Sequence, residues 1–298
     1  MDSNEVASAF QNDSLGSDDA VGIADKIKKG ELSASLVTQD AIERAKAVNP
    51  KLNAITVENF DLAQTNSEKP FSGFFQGVPT FIKDTDEVPG LPLYLGSRSL
   101  PGEPSDKYSK AAKQIIDTGL NCLGTTTTPE FGLTGTTESL RFGATCNPWN
   151  TAYSTGGSSG GSSALVASGV IPIAHANDGA GSIRIPASCC GLVGLKASRG
   201  RIKDKEVPSY LPANILHDGV VTRSVRDTWA FHAEIEKNIP AKEYPAIGNI
   251  SESFPEKLKI AVLTENCLGE DSSAELVQAT HDVAKLCDSL GHKIEIIS

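Results

Sequence analysis

The sequence predicts an α/β protein with a mixed sheet between helices. Short apolar runs bounded by turn residues alternate along the chain with segments of helical period. A length of 298 residues, 39% hydrophobic and 21% charged, supplies a sizeable core for one large domain or two ordinary ones. Two glycine-rich turns, Gly156-Gly157-Ser158-Ser159-Gly160-Gly161-Ser162 and Asp178-Gly179-Ala180-Gly181-Ser182-Ile183-Arg184, are separated by an apolar run able to form one helix and one strand. Each turn presents a serine, and glycine suits a backbone that bends sharply or approaches a ligand closely.

In chain order, residues 1–20 are polar and rich in Ser, Asn and Asp, which predicts a loosely ordered segment ahead of a domain spanning 21–298. Residues 21–28 form a short helix stopped by Gly30. Ser33 or Ser35 caps a second helix running to about Val48, with Leu36, Ala41, Ala45 and Val48 near one face, and Asn49-Pro50 ends it. Residues 78–82 read as a strand with Lys83 and Asp84 at its carboxyl end. Residues 109–118 are a helix ending at Gly119, and Cys122-Leu123-Gly124 is a short buried strand. After the first glycine turn, residues 164–167 suit a packed helix and 170–176 a buried strand. A strand follows at 192–196, a turn at 198–202 and a helix from about Asp227. Residues 238–256 read as a linker or excursion. The chain closes with a strand at 259–263, an amphipathic helix at 273–290 and a strand at 292–297.

Net charge is −10, and no basic cluster is longer than Lys26-Ile27-Lys28-Lys29, so the chain carries no electrostatic footprint for nucleic acid or an anionic membrane. The first residues do not form a secretory signal, and no apolar run reaches the length of a membrane span. Cysteines at 122, 146, 189, 190, 267 and 287 lack paired zinc-ligand spacing, which predicts a reducing, cytoplasmic setting, with Cys189 and Cys190 as small core hydrophobes. Histidines 175, 217, 232, 281 and 292 show no metal-ligand spacing, and His175 reads as a satisfied core histidine. No metal and no cofactor are expected.

The two glycine turns, followed by Ile185-Pro186-Ala187-Ser188 and Gly191-Leu192-Val193-Gly194-Leu195-Lys196, and preceded by Gly77-Val78-Pro79 and Ile82-Lys83-Asp84, resemble the amidase signature family. The resemblance runs from about Val21 to the last residue. It implies a mixed, largely parallel twisted sheet flanked by helices, and hydrolysis of a carboxylic amide through an acyl-enzyme on Ser182. Lys83 would be the base, and Ser158, after a cis peptide bond following Gly157, would pass protons between them. Backbone N–H groups of Gly179, Ala180, Gly181 and Ser182 would form the oxyanion hole. The run from His175 to Ser188 resembles the branch that contains 6-aminohexanoate cyclic-dimer hydrolase. Tyr153, and Thr125 and Thr127 where relatives commonly have Lys and Asn, depart from the family pattern. The family continues well past position 298, which implies a truncated domain, a sheet incomplete at its carboxyl end and self-association into a homo-oligomer.

The chemistry agrees with residue types. A serine hydroxyl is too weakly acidic to attack unaided, and a lysine can take its proton only when neutral, which burial favours. Taken singly, a strand lysine beside Asp84 is usually an ion-paired structural group, and serines among glycines are usually turn residues. Their conjunction in family order favours the catalytic reading. Asp178 and Arg184 brace the turn, and Ser159, Ser162 and Ser163 serve local hydrogen bonding and capping. A nucleophile elbow at Ser158 needs a preceding strand, and residues 147–151 are a poor one. A phosphate loop lacks its Gly-Lys-Ser/Thr. Two other readings stand: a truncated, inactive amidase-like module, and a subunit of a tRNA-dependent amidotransferase, which typically has Arg-Gln-Pro where this chain has Arg184-Ile185-Pro186.

Overall fold

Asp19 caps helix α1 (Ala20–Lys28) by accepting from the Gly22 N–H at 2.9 Å. The structure is a computed structural model that describes residues 5–198, 200–202, 214–238, 244–248, 256–265, 269–270 and 272–297. Helix α2 (Ala34–Leu52) is capped by Ser33, whose hydroxyl accepts from Leu36 N–H. It buries Val37, Ala41, Ala45 and Val48. Asn49-Pro50 does not end it: Pro50 sits in the last turn, and the chain turns instead at Asn53, in the left-handed region.

Strand β1 (Ile55–Glu58) and helix α3 (Phe60–Ser67) follow, both unforeseen from the sequence. Next come β2 (Pro79–Lys83), α4 (Lys110–Ile116) and β3 (Asn121–Thr126). Two short hairpins, β4 (Glu138–Ser139) with β5 (Gly143–Ala144) and β6 (Cys146–Asn147) with β7 (Asn150–Ser154), lead to α5 (Gly160–Ala167) and β8 (Ile173–Asp178). The residues after the second turn form a helix, α6 (Arg184–Cys190), before β9 (Val193–Gly194), β10 (His217–Thr222) and α7 (Val225–Ile235). The linker expected at 238–256 lies largely outside the described residues.

β3 pairs with β1 antiparallel and with β2 parallel, aligning Lys83 with Thr126. β10 pairs antiparallel with β8, from His217 opposite Asp178 to Thr222 opposite Ile173, and with β9. β2 and β8 lie side by side and are joined by side chains: Thr80 Oγ1 donates to the Ile173 carbonyl at 3.0 Å, and Lys83 N–H donates to His175 Nδ1 at 3.2 Å. Together they make a mixed layer of two three-stranded sheets, β1-β3-β2 and β8-β10-β9, whose parallel ladder among the described residues is β2–β3. Phe75, Phe81, Leu123, Leu165, Ile173, Val221 and Phe231 fill the core around it.

Residues 5–19, expected to be loosely ordered, are tied down. Ala7, Ala9 and Leu15 are buried, and Ala9 N–H donates to Ser168 O at 2.7 Å. The buried Arg44 guanidinium gathers Gly169 O, Gly16 O and the Asp13 carboxylate. A polar composition hid three apolar anchors and one fork of donors. From the other end of the unit, Asp227 accepts from the N–H groups of Ala20 and Val21, both at 2.9 Å.

The chain divides into two compact units, Met1–Asn249 and Ile250–Ser298. In the second, β11 (Lys259–Val262) and β12 (Lys293–Ile296) pair in parallel, joined through α8 (Ala274–Ser289). All three match the sequence reading to within a few residues.

His217 and His232 stack in the first unit with ring centroids 6.3 Å apart, and none of their four ring nitrogens has a hydrogen-bond partner among the described residues. Burial pushes both down to about 4. Between pH 6.5 and 4 the unfolded chain therefore binds protons that the folded chain refuses, so stability is lost as pH falls through that window. Asp84 and Asp227, pushed up to about 6 by burial, act in the opposite direction and are shared by any variant of the histidines. His232→Leu should remove roughly 1–2 kcal/mol of the loss between pH 7 and 5. Denaturant unfolding at both pH values, on wild type and variant, measures it; equal losses would show that His232 is not the cause.

Candidate active site

Lys83 ends β2 with its side chain fully buried. Its Nζ lies 2.7 Å from Ser158 Oγ, 3.0 Å from Ser159 Oγ and 2.7 Å from Asn177 Oδ1. The two serines come from the turn that opens α5, and Asn177 from the last part of β8. The peptide bond between Gly157 and Ser158 is cis. This turn is wedged so closely that side chains are excluded. A Cβ on Gly157 would stand 2.5 Å from the Thr136 carbonyl oxygen, and one on Gly161 2.6 Å from both Thr127 N and Ala54 O.

The second turn is organised by Asp178. Its carboxylate accepts from Gly181 N–H at 2.7 Å, Ile183 N–H at 3.2 Å and the Arg184 guanidinium at 2.9 and 3.0 Å. Burial pushes the carboxyl up, but the bonds from Arg184 and the two backbone donors outweigh it and hold it below the usual range. Asp178 and Arg184 thus brace the turn. Ser182 sits on it half-buried, and its hydroxyl makes no hydrogen bond among the described residues.

Beside Lys83, the buried side chains of Asp86, His175 and Asp218 form a group whose ligand atoms lie within 4.8 Å of one another. These are the described residues closest to a cation-holding set. His175 Nδ1 accepts from Lys83 N–H, so the other nitrogen carries the proton and faces Asp218 Oδ1 at 3.2 Å and Asp86 Oδ2 at 3.9 Å. Asp86 also accepts from the hydroxyls of Ser109 and Thr85. The group braces the strand end that carries Lys83, and His175 is both satisfied and adjacent to the site.

The family model described as Amidase matches residues 36–298. The chain belongs to the amidase signature family. AmiC of Mycobacterium tuberculosis (strain ATCC 25618 / H37Rv) is 45% identical over 289 residues, covering 96% of this chain and 61% of AmiC. The 6-aminohexanoate-cyclic-dimer hydrolase of Paenarthrobacter ureafaciens is 38% identical over 289 residues, covering 93% of this chain and 58% of that protein. The solved structure of a 6-aminohexanoate cyclic dimer hydrolase complexed with substrate superposes with a TM-score of 0.83 at 36% identity, over 94% of this chain and 60% of that one. This is the amidase signature fold. The chain spans about three fifths of the length of these relatives. Among the described residues no helix is long and apolar enough to cross a membrane.

Within the amidase signature frame, three sequence expectations change. The Gly181 N–H, expected among four oxyanion donors, donates to the Asp178 carboxylate at 2.7 Å. Ser159 is more than a local cap: its side chain makes no cap bond and bonds to Lys83 and Asn177 instead. Cys190 is buried and its thiol is pushed up to about 12 by burial and by Cys189, but Cys189 itself is exposed. The departures from the family pattern have plain roles: Thr125 bonds Thr56 and Thr127 bonds Thr145, each at 2.7 Å, while Tyr153 is exposed. Asn177 went unnoticed in the sequence. Alternation along β8 places it on the face of His175, which was the available signal.

Gly161→Ala forces a methyl against two backbone groups that cannot yield, and should cost about 1–3 kcal/mol of stability. Chemical denaturation measures it. An unchanged unfolding midpoint would show that the turn has room to spare.

Proposed function

We propose that this chain hydrolyses a carboxylic amide through an acyl-enzyme on Ser182, with Ser158 relaying protons to Lys83. The observation that carries this reading is the 2.7 Å bond between the buried Lys83 Nζ and Ser158 Oγ, with Asn177, five residues before Ser182, bonded to the same Nζ. Burial disfavours the ammonium, and Ser158, Ser159 and Asn177, which bond to Nζ, are neutral groups.

Ser182 Oγ attacks the carbonyl carbon as its proton passes to Ser158 Oγ and that of Ser158 passes to Lys83 Nζ. Negative charge gathers on the carbonyl oxygen, and N–H groups of Gly179, Ala180 and Ser182, which the Asp178 carboxylate leaves free, stabilise it. The C–N bond then breaks, and the proton returns from Lys83 through Ser158 to the departing amine. Water then attacks the ester carbon as its proton passes through Ser158 Oγ to Lys83 Nζ. The bond to Ser182 Oγ breaks as that proton returns through Ser158 to Ser182, and the acid leaves as carboxylate after losing a proton to solvent. Neither metal nor cofactor takes part in these steps.

The substrate in this reading is a small-molecule amide, linear or cyclic. The cyclic-dimer hydrolase among the relatives supports the cyclic option. Ile215 and Leu216 stand within 4 Å of where a Cβ on Gly179 would lie, so the acyl portion meets apolar surface.

A fluorophosphonate probe should modify Ser182, and Ser182→Ala should abolish labelling, as read by intact mass and peptide mapping. Lys83→Ala should slow labelling about 10²–10⁴-fold. The wild-type rate should rise with pH as Lys83 loses its proton, while the alanine variant stays flat. Labelling chiefly at Ser158 would overturn the assignment.

A further inference from the structure

We infer that Asp84 is a positioning residue whose carboxylate shapes the turn at Leu95 and, through Leu95 and Phe131, seats Gly132 against Ser158, an inference that rests on reading Ser158 as the relay. Four non-glycine residues among the described ones take a left-handed backbone, and two of them, Leu95 (φ 49°) and Phe131 (φ 53°), are large and apolar. That conformation is costly for a bulky side chain and persists only where the surroundings impose it. Side-chain packing does not impose it here, since Leu95 is half-buried and Phe131 exposed. Backbone bonds do. Phe131 N–H donates to Leu95 O at 2.7 Å, so each strained residue holds the other.

The fixed end of this pair is Asp84. Its fully buried carboxylate accepts from Tyr94 N–H at 2.9 Å and Gly96 N–H at 3.1 Å, the residues on either side of Leu95. Two donors bonded to the two oxygens of one rigid group set the backbone between them. The turn then grips residues 128–132: a Cβ on Gly96 would stand 2.4 Å from Thr128 O, and Ser97 Oγ donates to Glu130. Arg141 adds a second hold on the turn, its guanidinium 3.7 Å over the Tyr94 ring and bonded to Ser97 O and Leu100 O. At the far end Gly132 follows Phe131, and a Cβ there would lie 3.3 Å from Ser158 Oγ. The wall beside the relay serine is thus shaped from a carboxylate that neighbours Lys83 in sequence.

Asp84→Asn keeps the side chain's shape but turns one acceptor into a donor that faces a backbone N–H. Labelling of Ser182 by fluorophosphonate should slow about 10–10²-fold in the folded variant. Adding Leu95→Gly should recover most of that rate, because glycine takes the left-handed turn without help from the carboxylate. Circular dichroism and denaturant unfolding on each variant establish that the rates are those of folded protein, which a merely structural role would leave unchanged. In parallel, amide hydrogen exchange read by mass spectrometry should rise at 94–97 and 129–133 in Asp84→Asn and fall back in the double variant. Unchanged rate and exchange in Asp84→Asn would overturn the inference. So would a loss that Leu95→Gly does not recover, which would place the effect of Asp84 on Lys83 directly. If Asp84→Asn alone does not fold, the double variant must fold and be labelled, and its failure to do so counts equally against the inference. If wild type is not labelled at Ser182, the proposed activity fails, and exchange at 129–133 still decides whether Asp84 holds that loop.

Discussion

A fully buried lysine amine must spend its hydrogen bonds inside the protein, and the first unit is arranged so that it can. Nζ of Lys83 draws on the turn before α5 and on the end of β8, two elements that are far from it in sequence. Both must hold position within a few tenths of an ångström for the bonds to survive. The close packing of the first glycine turn and the braced second turn supply that constraint.

The seam between β2 and β8 shows how the constraint is met. Where a backbone ladder would impose its own spacing, the join is made by Thr80 and His175 side chains. His175 is fixed in turn by Asp218, so one ring links the β2 end to β10. A buried polar network of this kind is stabilising only when every member is satisfied, and it then specifies one arrangement.

Much of the fold was legible because apolar runs bounded by glycine or proline announce themselves: β2, β3, β11, α8 and β12 lie close to where the pattern places them. β1 and α3 were missed because residues 55–67 mix polar and apolar types with no clean period. Pro50 misled because the helix runs through it: proline forgoes one i→i−4 bond there, but only Lys51 and Leu52 follow before the helix ends. The site was half legible. Lys83, Ser158 and Ser182 stand out through motif order, whereas Ser159 and Asn177 owe their importance to a partner 76 and 94 residues away. No local period encodes such a pairing. The sequence did not disclose that the hydrogen bonds of Asp178 would include the N–H of Gly181.

The cap that Asp227 places on the start of α1 joins residues 207 positions apart. On a ribosome, which adds about 5–20 residues each second, the first helix therefore waits roughly 10–40 s for the side chain that completes it. Until then its leading N–H groups face water or whatever the nascent chain meets. The earliest-made part of this unit is finished by nearly the latest, so the unit can close as a whole only near the end of its own synthesis.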